Sequence, residues 1–189
     1  MARAKSPKKR AAILRAAVHE IAEVGLAAPT AKIAKRAGIA AGTLFTYFPN
    51  KEALLNELYL ELKRETYARI NANFPHKGNL RRRARHMWSS YLNWAVEFPE
   101  KRKVSAQLNL SDLITPETRA RLAGGERGAV DATLKELESR GALSRLPAGF
   151  AAATMNAMQE ATKDFIAKRP KQRKALIDQA FRVLWRAFR

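Results

Sequence analysis

Apolar residues recur along this chain at intervals of three and four, and no stretch alternates with period two, so the pattern predicts helices throughout and no strand. Ile13, Ala17, Ile21 and Val24 form the first stripe. Ser6-Pro7 provides a cap and a first-turn proline before it, and Gly25 ends it. Ile33, Ala34 and Ala37 form a short second stripe that Gly38 closes, with the Thr30 hydroxyl placed to cap its start. Leu44 and Phe48, four apart, make a third stripe that stops at Pro49-Asn50. Asn50 then caps a long helix from Lys51 to about Phe74 that turns Leu54, Leu55, Leu58 and Leu62 inward. Helices of two turns are unstable alone, so the second and third must pack on neighbours. What they leave outward is Thr43, Phe45, Thr46 and Tyr47, a small uncharged surface.

After a break at 75–78, residues 79–98 open with four arginines in five positions and set Met87, Tyr91, Trp94 and Phe98 on one face. Pro99 interrupts the helix, a further segment spans 100–113, and Thr115-Pro116-Glu117 is a capped restart. Gly124, Gly125 and Gly128 predict a kink or a loop. Val130, Leu134 and Leu137 recover the period until Gly141, and two last helices occupy 148–168 and 172–188. The reading is all-α, about nine helices.

Charge changes the picture most. The 189 residues carry a net +19 with a pI near 10.8, a field that attracts polyanions, nucleic acid foremost. Residues 1–51 hold ten Lys or Arg against Glu20 and Glu23, a net +8, so +11 lies elsewhere. Residues 1–10 read as a basic flexible arm, either lying along DNA or solvated. There is no cysteine, hence no disulfide, thiolate metal site or cysteine nucleophile. His19, His76 and His86 lie at no ligand spacing, and no phosphate-cradling glycine loop or nucleophile elbow occurs, so neither an enzyme, a metal nor a cofactor is expected. No apolar run approaches a membrane span or a signal peptide, which predicts a cytoplasmic, nucleoid-associated protein without membrane partners.

The stretch 30–51, TAKIAKRAGIAAGTLFTYFPNK, resembles the DNA-binding domain of the TetR family of transcriptional repressors. It follows that family's I-A-x-x-A-G core, its G-T-L-[YF]-x-[YH]-F recognition helix and its x-x-K-E-x-L-L continuation, and the resemblance covers roughly 10–58. It implies an N-terminal three-helix helix-turn-helix domain at 11–52 and a C-terminal helical ligand-binding and dimerisation domain at 53–189. It further implies that Thr30, Ala31 and Lys51 meet phosphates. Ala41, Gly42, Thr43, Phe45, Thr46 and Tyr47 should then lie in or beside the major groove of a double-stranded operator, with Leu44 and Phe48 as core. Two positions depart from the pattern: Phe45 lacks the usual tyrosine hydroxyl, and Ala41 offers only a methyl. The implied function is a sequence-specific regulator, released from its operator by an unidentified, largely apolar small-molecule effector. A helical protein that coats DNA without regulating genes is the alternative that the charge fits equally.

Trp88, Tyr91, Trp94, Met155 and Met158 at helical spacing are either plain core or the lining of the pocket that the resemblance implies, where Gln107 and Asn109 would orient a ligand's polar end. The stripes of the last two helices either finish the monomer core or meet a second copy. A homodimer interface is expected at Phe150, Ala157, Ala161, Ile177, Phe181, Leu184 and Phe188.

Overall fold

A computed structural model of the chain describes residues 6–123 and 125–188. Among these, ten α-helices and two 3-10 turns make up the regular structure, with no strand. Compact packing divides the chain into two units, one of residues 1–64 and 98–122, the other of 65–97 and 123–189. This does not follow the linear division at residue 52.

In the first unit, α1 (Pro7–Val24) begins as the sequence predicts, with Ser6 as cap and Pro7 in the first turn, so the second half of the basic segment 1–10 is helical. Arg3 and Lys5 of the expected arm lie outside the described residues. The carbonyl of Ile21 accepts from the Gly25 amide, and Gly25 turns the chain at φ 84°, a left-handed region where a side chain is disfavoured. Ile13, Ala17 and Ile21 are fully buried. The short helix α2 (Thr30–Arg36) packs on α1, and α3 (Ala41–Tyr47) packs on α2. Helix α4 (Lys51–Asn71) opens with the Asn50 carboxamide oxygen accepting from the Ala53 amide at 2.8 Å, as expected. Only its first part, to Arg64, belongs to this unit, where Leu54, Leu55, Leu58 and Leu62 are buried.

The first unit also contains α6 (Pro99–Asn109) and α7 (Pro116–Ala120). Val104 and Leu108 are fully buried, Lys103 Nζ donates to the Ala22 carbonyl at 2.6 Å, and His19 Nδ1 lies 2.7 Å from Glu100. Helix α6 thus stops at Asn109, short of the expected 113, and Thr115 caps α7 by accepting from the Thr118 amide.

The second unit is built on α5 (Leu80–Glu97), which packs against α8 (Gly128–Glu138), α9 (Phe150–Lys168) and α10 (Arg173–Ala187). Gly128 opens α8 after a turn, resolving the kink-or-loop alternative as a loop in the described part; Gly124 lies outside the described residues. Trp88 sits fully buried at the centre, with its indole N–H donating to the Ile177 carbonyl at 2.9 Å. Phe181 packs on it with ring centroids 6.2 Å apart. Leu92, Met155, Ile166 and Leu184 complete the same core.

Candidate nucleic-acid interface

The turn between α2 and α3 is fixed by backbone chemistry. The Gly38 amide donates to the Lys35 carbonyl and the Ile39 amide to the Ala34 carbonyl, each at 3.1 Å. This paired closure of a helix end needs a left-handed residue, which Gly38 supplies at φ 69°. The start of α2 departs from expectation. Pro29, not Thr30, occupies the cap position and no side chain caps the helix; the Pro29 carbonyl instead accepts from Lys32 and Ile33. Thr30 is already the first helical residue, so its hydroxyl does not serve the helix.

Helix α3 separates its two faces cleanly. Leu44 is fully buried and Phe48, just past the helix, is 2 % exposed, while Ala41, Gly42, Phe45 and Thr46 face solvent and Thr43 and Tyr47 are half-buried. Phe45 is 45 % exposed, a large apolar side chain left partly open to solvent. The Tyr47 hydroxyl accepts from the Ser6 amide at 3.0 Å, tying the end of α3 to the start of α1 and leaving its own O–H to donate elsewhere. Arg10 packs over the Phe48 ring at 5.9 Å and pairs with Glu57 at 2.6 Å.

The same unit also exposes cations on the neighbouring elements. Lys51 opens α4 half-buried, and Ala31 lies exposed at the start of α2. Lys32 and Lys35 on α2, and Lys8 and Lys9 on the first turn of α1, are exposed. Lys8 and Lys9 belong to the basic segment 1–10 expected to lie along DNA or in solvent, whereas Lys32 and Lys35 lie outside the family motif's assigned contacts, three apart on the outer side of a helix whose apolar stripe is Ile33 and Ala34. Arg36 is not available in the same way. It donates to Glu20 at 2.6 Å and Glu23 at 3.0 Å, and the hydrogen bond it makes to Glu20 is the main cause that raises its pKa. Glu20 is 6 % exposed, a buried carboxylate that needs that partner, so the pair locks α2 to α1. Glu57 is the second electrostatic joint. Burial works against its charge, but hydrogen bonds from Arg121 and Arg10 outweigh that and hold its carboxyl below the ordinary range.

The family model of bacterial regulatory proteins of the tetR family matches residues 13–58, the segment that folds into this arrangement. Residues 13–58 form a TetR-family helix-turn-helix DNA-binding domain, and the chain as a whole has the fold of TetR-family regulators. Members are DNA-binding helix-turn-helix proteins, regulators and not enzymes. A TetR family transcription regulator from Marinobacter aquaeolei VT8 is 25% identical with a TM-score of 0.80, covering 95% of each chain. The TetR-like regulator LfrR from Mycobacterium smegmatis, solved in complex with proflavine, is 24% identical over 94% of this chain and 95% of that one, TM-score 0.65. FadR from Bacillus subtilis, solved in complex with stearoyl-CoA, is 22% identical over 92% and 96%, TM-score 0.70. No described helix is long and apolar enough to cross a membrane.

The remaining expected sites fall differently across the TetR fold. Trp88, Tyr91, Met155 and Met158 come together in the second unit, and Tyr91 lies 6.0 Å from the Trp94 ring. Trp94 is buried with its N–H donating to Glu65 at 3.0 Å. Gln107 and Asn109 belong to the first unit instead: Gln107 lies beside Gly25, and the Asn109 carbonyl accepts from Arg119. Helix α6, which carries both, packs on α1. Of the expected interface residues, Ile177, Phe181, Leu184 and Phe188 are buried inside a single second unit, where they fill its core. Phe150, Ala157 and Ala161 do face solvent, on the side of α9 that also exposes Phe165.

Proposed function

We propose that this TetR-family regulator is a repressor that reads an operator through the outward face of α3 and releases it when a small, largely apolar ligand binds the second unit. The observation that carries the reading is the outward face of α3, Ala41, Gly42, Thr43, Phe45, Thr46 and Tyr47, which holds no charged side chain while α1 and α2 of the same unit expose lysines. Charge on those helices supplies affinity without sequence, whereas small polar and apolar groups discriminate base edges. Thr43 and Thr46 offer hydroxyls, while the Ala41 methyl and the Phe45 ring suit thymine methyl groups. Thr30 and Ala31 contribute the first amides of α2 to phosphates, and Lys51, Lys32 and Lys35 contribute ammonium groups.

The effector site is the aromatic and Met cluster around Trp88, Tyr91, Met155 and Met158. Trp185 supports it: its ring stacks on Phe181, and its buried indole N–H has no partner among the described residues. A buried unmet donor costs about 1–3 kcal/mol, so an acceptor belongs there. Gln159, 3 % exposed in the same unit, takes the orienting role expected of Gln107 and Asn109. The neighbours' ligands, proflavine for LfrR and stearoyl-CoA for FadR, differ in charge; the second unit's positive balance favours the anionic kind here. Release requires that the ligand prefer the conformation that does not fit the operator. The chain acts as a homodimer through the exposed side of α9, Phe150, Ala157, Ala161 and Phe165, where alanines permit close approach.

The test is selection of duplexes from a random pool by the wild-type chain, followed by titration of the selected complex with stearoyl-CoA and, separately, proflavine. The reading expects an enriched sequence, and stearoyl-CoA rather than proflavine to shift tryptophan emission and release DNA together. A pool that remains random would favour a coat protein. In sedimentation, Ala161→Glu should give folded monomers from a dimeric wild type; a dimeric variant would move the interface elsewhere.

A further inference from the structure

The second unit contains none of the helix-turn-helix, yet it carries 19 Lys and Arg against 9 Asp and Glu, a net +10, where the first carries 17 against 8, a net +9. Part of this excess gathers at one end of the α5–α10 pair. These helices run antiparallel: Arg173 donates to Asn93 at 2.7 Å, the Trp88 indole to Ile177, and Arg85 to Asp178 at 2.7 Å, so the pairing moves back along α5 as α10 advances. One and two turns beyond Asp178 on the same side of α10 stand Arg182 and Arg186. One turn before Arg85 on α5 stand Arg81 and Arg82, with Lys77 just upstream.

All five of these cations are exposed, and none is in an ion pair among the described residues. The acids nearby are already engaged, Asp178 by Arg85 and Glu136 by Arg83 and Arg140. The placement is electrostatically adverse. The first turn of α5 has no acidic residue, and its arginines sit where the helix dipole is already positive. Like charges at three- and four-residue spacing add repulsion.

We propose that Lys77, Arg81, Arg82, Arg182 and Arg186 form a second, sequence-independent surface that binds the phosphates of double-stranded DNA. A polyanion relieves both the dipole clash and the mutual repulsion, and release of its condensed counterions drives the association. DNA is the polyanion favoured because the first unit already brings the chain to it, so the second attachment forms at high effective concentration. This extends the operator reading without depending on which sequence α3 selects. Affinity then comes from two places in the chain and sequence discrimination from one.

The full-length variant Arg81→Gln, Arg82→Gln, Arg182→Gln, Arg186→Gln tests it, by binding to a random-sequence duplex at several salt concentrations. Expected is a slope of log affinity against log salt shallower by roughly 3.6, at ~0.9 for each of the four phosphates no longer neutralised. The preference for a selected over a random duplex should persist, with a thermal midpoint at low salt equal to or above wild type. An unchanged slope in the folded variant would overturn the proposal. So would a slope unchanged on DNA together with abolished binding to phosphatidylglycerol vesicles, which would assign the surface to membranes. Failure of α3 to select a sequence is a separate result, seen in the wild type alone.

Discussion

The two units of this chain carry nearly equal net charge and distribute it differently. In the first, the surface assigned to sequence reading is its least charged part: α3 has no ionisable side chain but Tyr47, and the nearby Arg36 and Arg10 are tied to Glu20, Glu23 and Glu57. In the second, arginines stand unpaired on the outside of a core made of Trp88, Phe181 and their neighbours. The difference teaches that positive charge marks where a polyanion is held and says little about where it is read. Discrimination needs groups small enough to reach base edges and a backbone fixed well enough to aim them.

Breaking either core separates the units most sharply. All three tryptophans, Trp88, Trp94 and Trp185, lie in the second unit, so their emission reports that unit selectively. Phe48→Ala should cost about 3–5 kcal/mol in the first unit and abolish DNA binding while leaving native tryptophan emission. Phe181→Ala should cost a similar amount and change emission first. Denaturation followed by tryptophan emission and by DNA retardation checks both. Coincident loss in both variants would show one cooperative block and weaken the contrast.

Acid should act on the first unit through Glu57. Its folded pKa lies below the ordinary glutamate value, so its contribution is present above that value and lost as pH falls through the folded one. Between pH 6 and pH 3 the wild type should lose stability that Glu57→Gln lacks throughout, flattening that variant's profile in thermal melts. A parallel loss in both would assign acid sensitivity elsewhere.

Asn50→Ala is the smallest of these effects, about 1 kcal/mol, because it removes one cap from the start of α4. It should weaken operator and random DNA alike in retardation assays, since it shifts the frame that carries Lys51 without touching α3. A selective loss on the operator would tie the cap to reading.

Local features were the legible ones. The Gly25 and Gly38 stops, the Asn50 cap, the burial of Leu44 and Phe48 and the outward face of α3 all follow from spacing and turn chemistry within a few residues. What spacing cannot say is which surface covers a stripe. Val104 and Leu108 predict a buried face without saying what covers it, and in the fold that face packs on α1. The stripe Ile177, Phe181, Leu184 and Phe188 likewise announces burial, and the chain itself supplies the cover. Thr30 fits a cap by type, but α2 begins one residue earlier than that role requires, on the Pro29 carbonyl.

The division between reading and holding is tested most directly by comparing Thr43→Ala with Lys51→Ala on a selected and a random duplex at several salt concentrations. The account predicts that Thr43→Ala narrows the affinity ratio of the two duplexes by roughly 5–100-fold with an unchanged salt slope, since recognition of one base is worth ~1–3 kcal/mol. Lys51→Ala should keep the ratio and lower the slope by about one. A Thr43→Ala ratio equal to wild type, or a Lys51→Ala slope left unchanged, would contradict it.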